Sequence, residues 1–362
     1  MIRAFVPRKA HWHRWGFGLP ALLFSIGCGD TTLQATAEAS KSGSNAGQER
    51  PHPTDTFYVD GRFLHDPCGN QVVLRGVNEL IVFSEGRDGL PEFTEIARTG
   101  ANAVRFDWTV EATAAELATA IDNAVALGMV PVVEGFDPTA ETSPAELESV
   151  VRYWTSPEVV EVVADRQAAL LIELAAGFAL SVSAEDWGAA NRDAIGQLRS
   201  AGIRVPISVH ASDEDPADLD RLQASGPAVM AADPLGNTWL SASIWWIDGT
   251  ADRIHAELLE TATLGLPLFI SEFSGYAAEN CPDTPLDYRA VMAEAQAMQI
   301  GWLAWSWGAL PNESCAGGYL DMTSDGTLEG LQNWGLEVAT TDPNSIANTS
   351  QPFQITLGDT CE

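Results

Sequence analysis

The chain is 362 residues long, with 50 acidic side chains against 19 Lys and Arg, a formal charge of −31, and 46% hydrophobic residues. So acidic a protein argues against nucleic acid and anionic lipid surfaces as partners, while its apolar content suffices for a large core. A neutral polymer is compatible with it.

In chain order the first feature is a leader. Arg3, Arg8, Lys9 and Arg14 precede or open an apolar run of 12 residues, Gly16 to Gly27, too short for a permanent membrane span and shaped like an export signal. The run ends in Phe24-Ser25-Ile26-Gly27-Cys28. This resembles a bacterial lipobox, with Ser25 where such motifs usually carry Leu. The resemblance implies residues 1–27 as a signal, a lipid on Cys28, and attachment to a membrane through that lipid alone. Gly29 in place of Asp points to the outer membrane if the host has two. Ordinary cleavage nearby, with Cys28 incidental, is the alternative. Residues 28–55 are Ser, Thr, Ala, Gly and Gln with few large apolar side chains, a composition that cannot bury enough surface to order itself and reads as a tether.

From residue 56 to residue 362 no second linker interrupts the chain. Strand-like runs recur at Val72–Asn78, Ala103–Trp108, Val130–Glu134, Ala169–Leu174, Val205–Val209, Leu240–Trp246, Leu268–Phe273 and Gly301–Trp307. Between them, apolar residues at helical spacing predict helices over Ala114–Leu127, Ala145–Arg166, Ala184–Ala201, Ala251–Leu264 and Leu286–Gln299, several stopped by Gly. Eightfold strand and helix alternation predicts parallel βα units closed into a single α/β domain, a (β/α)8 TIM barrel, with functional residues at the C-terminal strand ends. No Gly-rich phosphate loop follows the first strand, which disfavours an open doubly wound sheet.

Four motifs then stand in order: Leu74-Arg75-Gly76-Val77-Asn78, Gly100-Ala101-Asn102-Ala103-Val104-Arg105, Leu266-Pro267-Leu268-Phe269-Ile270-Ser271-Glu272-Phe273 and Gly301-Trp302-Leu303-Ala304-Trp305-Ser306-Trp307. Together they resemble the strand motifs of glycoside hydrolase family 5, most of all its bacterial endo-β-1,4-mannanases, from about Gly61 to Trp334. The resemblance implies a retaining β-glycosidase barrel that needs no metal or other cofactor. Its nucleophile sits on barrel strand seven, at Glu272, and its acid/base on strand four. Glu134, Trp245, Trp246, Trp305 and Trp307 are the candidate sugar contacts.

The departures from the family's pattern lie at the chemistry. Where the family closes strand four with Ala-Asn-Glu-Pro, this chain has Ala175-Ala176-Gly177-Phe178, so Gly177 takes the acid/base position. Strand three reads Glu134-Gly135-Phe136-Asp137 in place of Glu-Val-His-Asp. Strand six reads Ser243-Ile244-Trp245-Trp246-Ile247 in place of Ser-Ile-His-Met-Tyr, and strand five ends at His210 without the family's Asp. Arg105 beside Glu272 would hold that carboxylate ionised. Taken singly, Arg105 and Glu272 read better as a barrel ion pair and the tryptophans as core; together, at motif positions, they read as an inherited glycan cleft. Glu173 lies four residues before Gly177 and, at about 3.3 Å per residue, too deep to replace the missing acid. Glu185 and Asp186 read as first-turn residues behind an N-cap at Ser183. Glu79, Asp107, Glu134, Asp137 and Asp248 lie near strand ends without a basis for choosing among them.

The expectation is a protein that recognises β-linked mannan or glucan, with hydrolysis impaired or lost. The alternatives are a working retaining mannanase with a relocated acid, and a non-catalytic surface scaffold. With Cys28 set aside, Cys68, Cys281, Cys315 and Cys361 favour two disulfides in an exported protein. Spacing alone allows three connectivities; the barrel reading places Cys281 and Cys315 in neighbouring loops and leaves Cys68 to Cys361. A zinc site lacks CxxC or His spacing.

Overall fold

Eight of the strands close on themselves. The computed structural model describes residues 55–84, 86–140, 143–178, 182–211, 218–246, 248–277, 281–308, 315 and 318–352; the predicted leader and most of the tether lie outside these residues. In chain order the barrel strands are β4 (Arg75–Glu79), β5 (Ala103–Thr109), β6 (Val130–Phe136), β7 (Leu171–Glu173), β8 (Ile207–His210), β9 (Thr238–Ile244), β10 (Leu268–Phe273) and β11 (Gly301–Ala304). They pair in parallel in the order β10-β11-β4-β5-β6-β7-β8-β9, closed into a ring.

Because side chains alternate across a strand, every second residue faces the barrel axis. Ala103, Val130, Val132, Leu171, Trp239, Phe269 and Leu303 form one buried apolar cluster, filling the lower barrel. Phe57, Leu64 and Val72 belong to the same cluster. They come from an antiparallel sheet that the sequence reading does not contain, β1 (Tyr58–Asp60), β2 (Phe63–His65) and β3 (Gln71–Val72). This sheet plugs the N-terminal mouth, so the other end carries the chemistry. Two steps along the same inward rows the residues become polar: Arg105 and Asp107 on β5, Glu134 on β6, Glu173 on β7, Ser208 and His210 on β8, Ser241 and Ser243 on β9.

The helices follow the predicted pattern with one division. The stretch Ala145–Arg166 is two helices, α3 (Pro144–Trp154) and α4 (Pro157–Asp165); Pro157 pushes Ser156 into an extended conformation, and the helix breaks there. A capping box between Thr113 and Glu116 starts the helix Ala114–Ala126. The helices Glu92–Ala97 and Asp218–Ala232 were not expected; the second carries Pro227 inside it, which hides its periodicity.

Gly76 shows how tightly the strands approach. A Cβ there would meet the Ala103 carbonyl oxygen at 1.9 Å, and backbone in a closed sheet cannot step aside. Gly76→Ala is therefore expected to cost about 3 kcal/mol, the upper end of ordinary overpacking, measured by urea denaturation; a loss below about 1 kcal/mol would show that the strands can separate.

Candidate active site

The site is organised by one cation. Arg105 is 0% exposed, and its guanidinium reaches three carboxyl groups on three other strands. Nε donates to Glu173 Oε2 at 2.5 Å, Nη2 to Glu134 Oε2 at 2.5 Å and Nη1 to Glu272 Oε1 at 2.9 Å. Nη1 also donates to Asn78 Oδ1 at 2.7 Å and stands 3.7 Å from Asp107 Oδ1. Burial alone would favour its neutral form, but Glu134, Glu173, Glu272 and Asp107 outweigh that and keep it charged.

Glu272 owes its direction to an irregularity. The β9–β10 register shifts between Ile270 and Glu272, a bulge of the kind that re-aims a side chain. Ser271 and Glu272 consequently both meet inward partners. Glu272 Oε2 accepts from Ser243 Oγ at 3.0 Å and from the Trp245 indole at 3.1 Å, in addition to the Arg105 contact. The tryptophan that stands where the family's strand six has His thus supplies an orienting hydrogen bond instead of removing one.

Glu173 is sealed, with 0% exposure. It is nevertheless tied to the same guanidinium as Glu272, which the depth estimate alone did not suggest. Burial would raise its pKa, but Arg105, His210 and Ser241 overcome that and hold it down at about 2. His210 Nδ1 lies 3.3 Å from Glu173 Oε1 and Nε2 lies 3.3 Å from Ser243 Oγ, so a polar relay runs behind the site from Glu173 to the group that contacts Glu272. Ser241, Ser243 and His210 are functional neighbours that sequence reasoning passed over or left without a role; alternation along β8 and β9 was the signal that could have found the serines.

Glu134 and Asp107 are opposed in the β5–β6 register. Burial, together with repulsion from Asp107, Glu173 and Glu272, pushes Glu134 well above the usual carboxylate range against the pull of Arg105. Burial also raises Asp107. At the strand-four end, Leu174 to Phe178 contain no side chain able to give a proton; the Ala176 backbone N–H donates to Glu134 Oε1 at 3.2 Å.

The tryptophans divide. Trp245 and Trp305 are half-buried and meet edge to face with ring centroids 6.3 Å apart. Trp307 is 0% exposed, donates its indole N–H to the Gly326 carbonyl and packs in the main core, and Trp246 is 4% exposed beneath Arg253. Neither offers a ring face to a sugar, so the expected sugar contacts at Trp246 and Trp307 are corrected to core residues. Asp137 is held by Ser149 and Thr139 below the usual carboxylate range, and Asp248 pairs with Arg253 on the surface. Glu185 and Asp186 open the helix Ala184–Ser200, with Ser183 as its cap. Cys281 and Cys315 are disulfide-bonded. Cys68 is in a disulfide too; Cys361, its expected partner, and Cys28 lie outside the described residues.

Glu79, at the end of β4, is 4% exposed with Oε2 buried and without a hydrogen bond. Burial, then Glu92, raises its pKa from 4.5 to about 8. A group raised on folding contributes stability that is full below pH 4.5 and lost as pH rises through about 8. Glu79→Gln, neutral throughout, should therefore have an unfolding free energy near the wild type's at about pH 5 and above it at about pH 9, by an amount on the order of a few kcal/mol. An equal shift at both pH values would contradict the assignment.

No family model matches the chain. It is 27% identical over 312 residues to a mannan endo-1,4-beta-mannosidase of Salipaludibacillus agaradhaerens, covering 84% of this chain and 96% of that one. To a mannan endo-1,4-beta-mannosidase of Cellvibrio japonicus it is 28% identical over 310 residues, 83% of this chain and 69% of that one. Among solved structures, the β-mannanase from Streptomyces thermolilacinus with mannohexaose superposes with a TM-score of 0.72 at 25% identity, covering 82% of this chain and 97% of that one. A Thermobifida fusca endoglucanase catalytic domain shares the fold more distantly, with a TM-score of 0.59 at 19% identity over 78% of this chain and 96% of that one.

Proposed function

We propose that this chain, related in sequence and fold to the endo-β-1,4-mannanases of glycoside hydrolase family 5, recognises β-linked mannan and cleaves it poorly by the family's ordinary route. The observation that carries the reading is the asymmetry of the site. The strand-seven carboxylate Glu272 is fully dressed, by Arg105, Ser243 and Trp245, while the strand-four position opposite it is Gly177. Nucleophile and binding face survive, and the proton donor of the family's pattern does not.

A double displacement without its acid loses typically 10²- to 10⁴-fold, most on substrates whose leaving group needs a proton. Binding does not depend on that proton. The half-buried Trp305, edge to face with Trp245 beside Glu272, supplies a ring for a pyranose, a contact of large area at small entropic cost. Isothermal titration should show saturable binding of mannohexaose, weakened about tenfold, or 1.4 kcal/mol, by Trp305→Ala. No binding of β-mannan, glucan or xylan oligosaccharides would remove the proposal.

Export and anchoring through a lipid on Cys28 complete the reading, since a polysaccharide is met outside the cell. Metabolic labelling with a radioactive fatty acid should mark the wild-type chain and leave Cys28→Ala unlabelled. Equal labelling of the two would dismiss the anchor.

A further inference from the structure

Four carboxyl groups surround one guanidinium: Glu134, Glu173, Glu272 and Asp107. Like charges packed this closely around a single cation do not all ionise; one of them keeps its proton. The geometry says which. Glu173 is sealed, and Arg105, His210 and Ser241 all stabilise it as an anion. Glu272 accepts from three donors, Arg105, Ser243 and Trp245, which favour its anion. Asp107 and Glu134 stand opposite one another on neighbouring strands, where two ionised carboxylates would repel and a retained proton removes the repulsion. Asp107 Oδ1 has no hydrogen-bond partner.

Both groups also keep a share of exposed surface, with side chains 16% and 10% exposed, against 9% for Glu272 and 0% for Glu173. Glu272 Oε1 and Asp107 Oδ1 lie 2.9 Å and 3.7 Å from the same nitrogen of Arg105. Those two contacts limit their separation to the sum, about 6.6 Å. A retaining pair stands about 5 Å apart and an inverting pair roughly 6.5–9.5 Å, so the bound admits the retaining spacing and all but excludes the inverting one.

We propose that the Asp107–Glu134 carboxyl pair, on neighbouring strands β5 and β6, has taken over the proton transfer that Gly177 cannot perform. The inference rests on the carbohydrate reading of the site and deepens it. In the first step Glu272 attacks the anomeric carbon, the glycosidic C–O bond breaks, and the proton of the pair passes to the departing oxygen. In the second, water attacks the glycosyl–Glu272 ester, its proton returns to the pair, and Glu272 leaves as a carboxylate. The sum is one glycosidic bond and one water converted to two hydroxyl groups. Burial holds the proton on the pair, helped for Glu134 by the charges of Glu173 and Glu272 and opposed by Arg105; Glu173 acts in the same sense on Asp107, and Glu79 faces Asp107 from β4.

Two substrates separate this role from a structural one. Mannohexaose needs a protonated leaving group; a dinitrophenyl β-mannobioside does not. Glu134→Gln should lower mannohexaose cleavage by 10²- to 10⁴-fold while dinitrophenol release persists within about tenfold, and Glu272→Ala should abolish both. Asp107→Asn removes a charge that raises Glu134, so the alkaline limb of the remaining mannohexaose activity should move to lower pH. Wild-type cleavage of mannohexaose by Glu134→Gln, or parallel loss on both substrates, would overturn the inference. A wild-type protein that binds mannohexaose but releases no product would overturn it as well, and would leave the recognition function standing.

Discussion

The buried guanidinium of Arg105 is the constraint on which the rest of the site depends. An isolated charge in a barrel interior is expensive, and removing one member of a buried ion pair typically costs about 3–5 kcal/mol because the other is stranded. Here the cation has more partners than it can neutralise. Asn78 steers it from β4, three carboxyl groups bond it from β6, β7 and β10, and Asp107 stands by on its own strand. Fold and chemistry meet in that excess. It holds five strands around one point, and it forces a proton to remain among the carboxyl groups.

The same arrangement keeps the site organised although Leu174 to Phe178 carry no side chain able to give a proton. Glu272 is oriented by an indole from Trp245 and a hydroxyl from Ser243, behind which His210 connects to Glu173. A carboxylate kept only to satisfy Arg105 would not need these further donors. Likeness of fold does not by itself make such a site work, because fold and function are argued from different observations.

Much of the scaffold was legible in one dimension. The eight strands declare themselves through short β-branched runs, and Leu268–Phe273 matches its strand end to end. What escaped was either punctuated by proline, as in the division before Pro157 and the helix around Pro227, or too short to show a period, as in the three-stranded plug over Tyr58–Val72. At the site, Arg105 and Glu272 were recoverable because each ends a recognisable motif. The placement of Asp107 opposite Glu134 was not, since it depends on the register of β5 against β6, a quantity that sequence spacing does not contain. Trp246 and Trp307 failed for a related reason: alternation decides which of two neighbouring tryptophans faces the cleft, and a bulge or strand end resets it.

The central claim is that one of the carboxyl groups around Arg105 stays protonated. Carbon-13 NMR of the side-chain carboxyl signals of Asp- and Glu-labelled protein, followed through a pH titration and assigned with Glu134→Gln and Asp107→Asn, measures it directly. The account predicts a signal of the Asp107–Glu134 pair that remains in its protonated position at neutral pH, while Glu173 is ionised throughout the accessible range. Ordinary carboxylate titration of every group around Arg105 would contradict it.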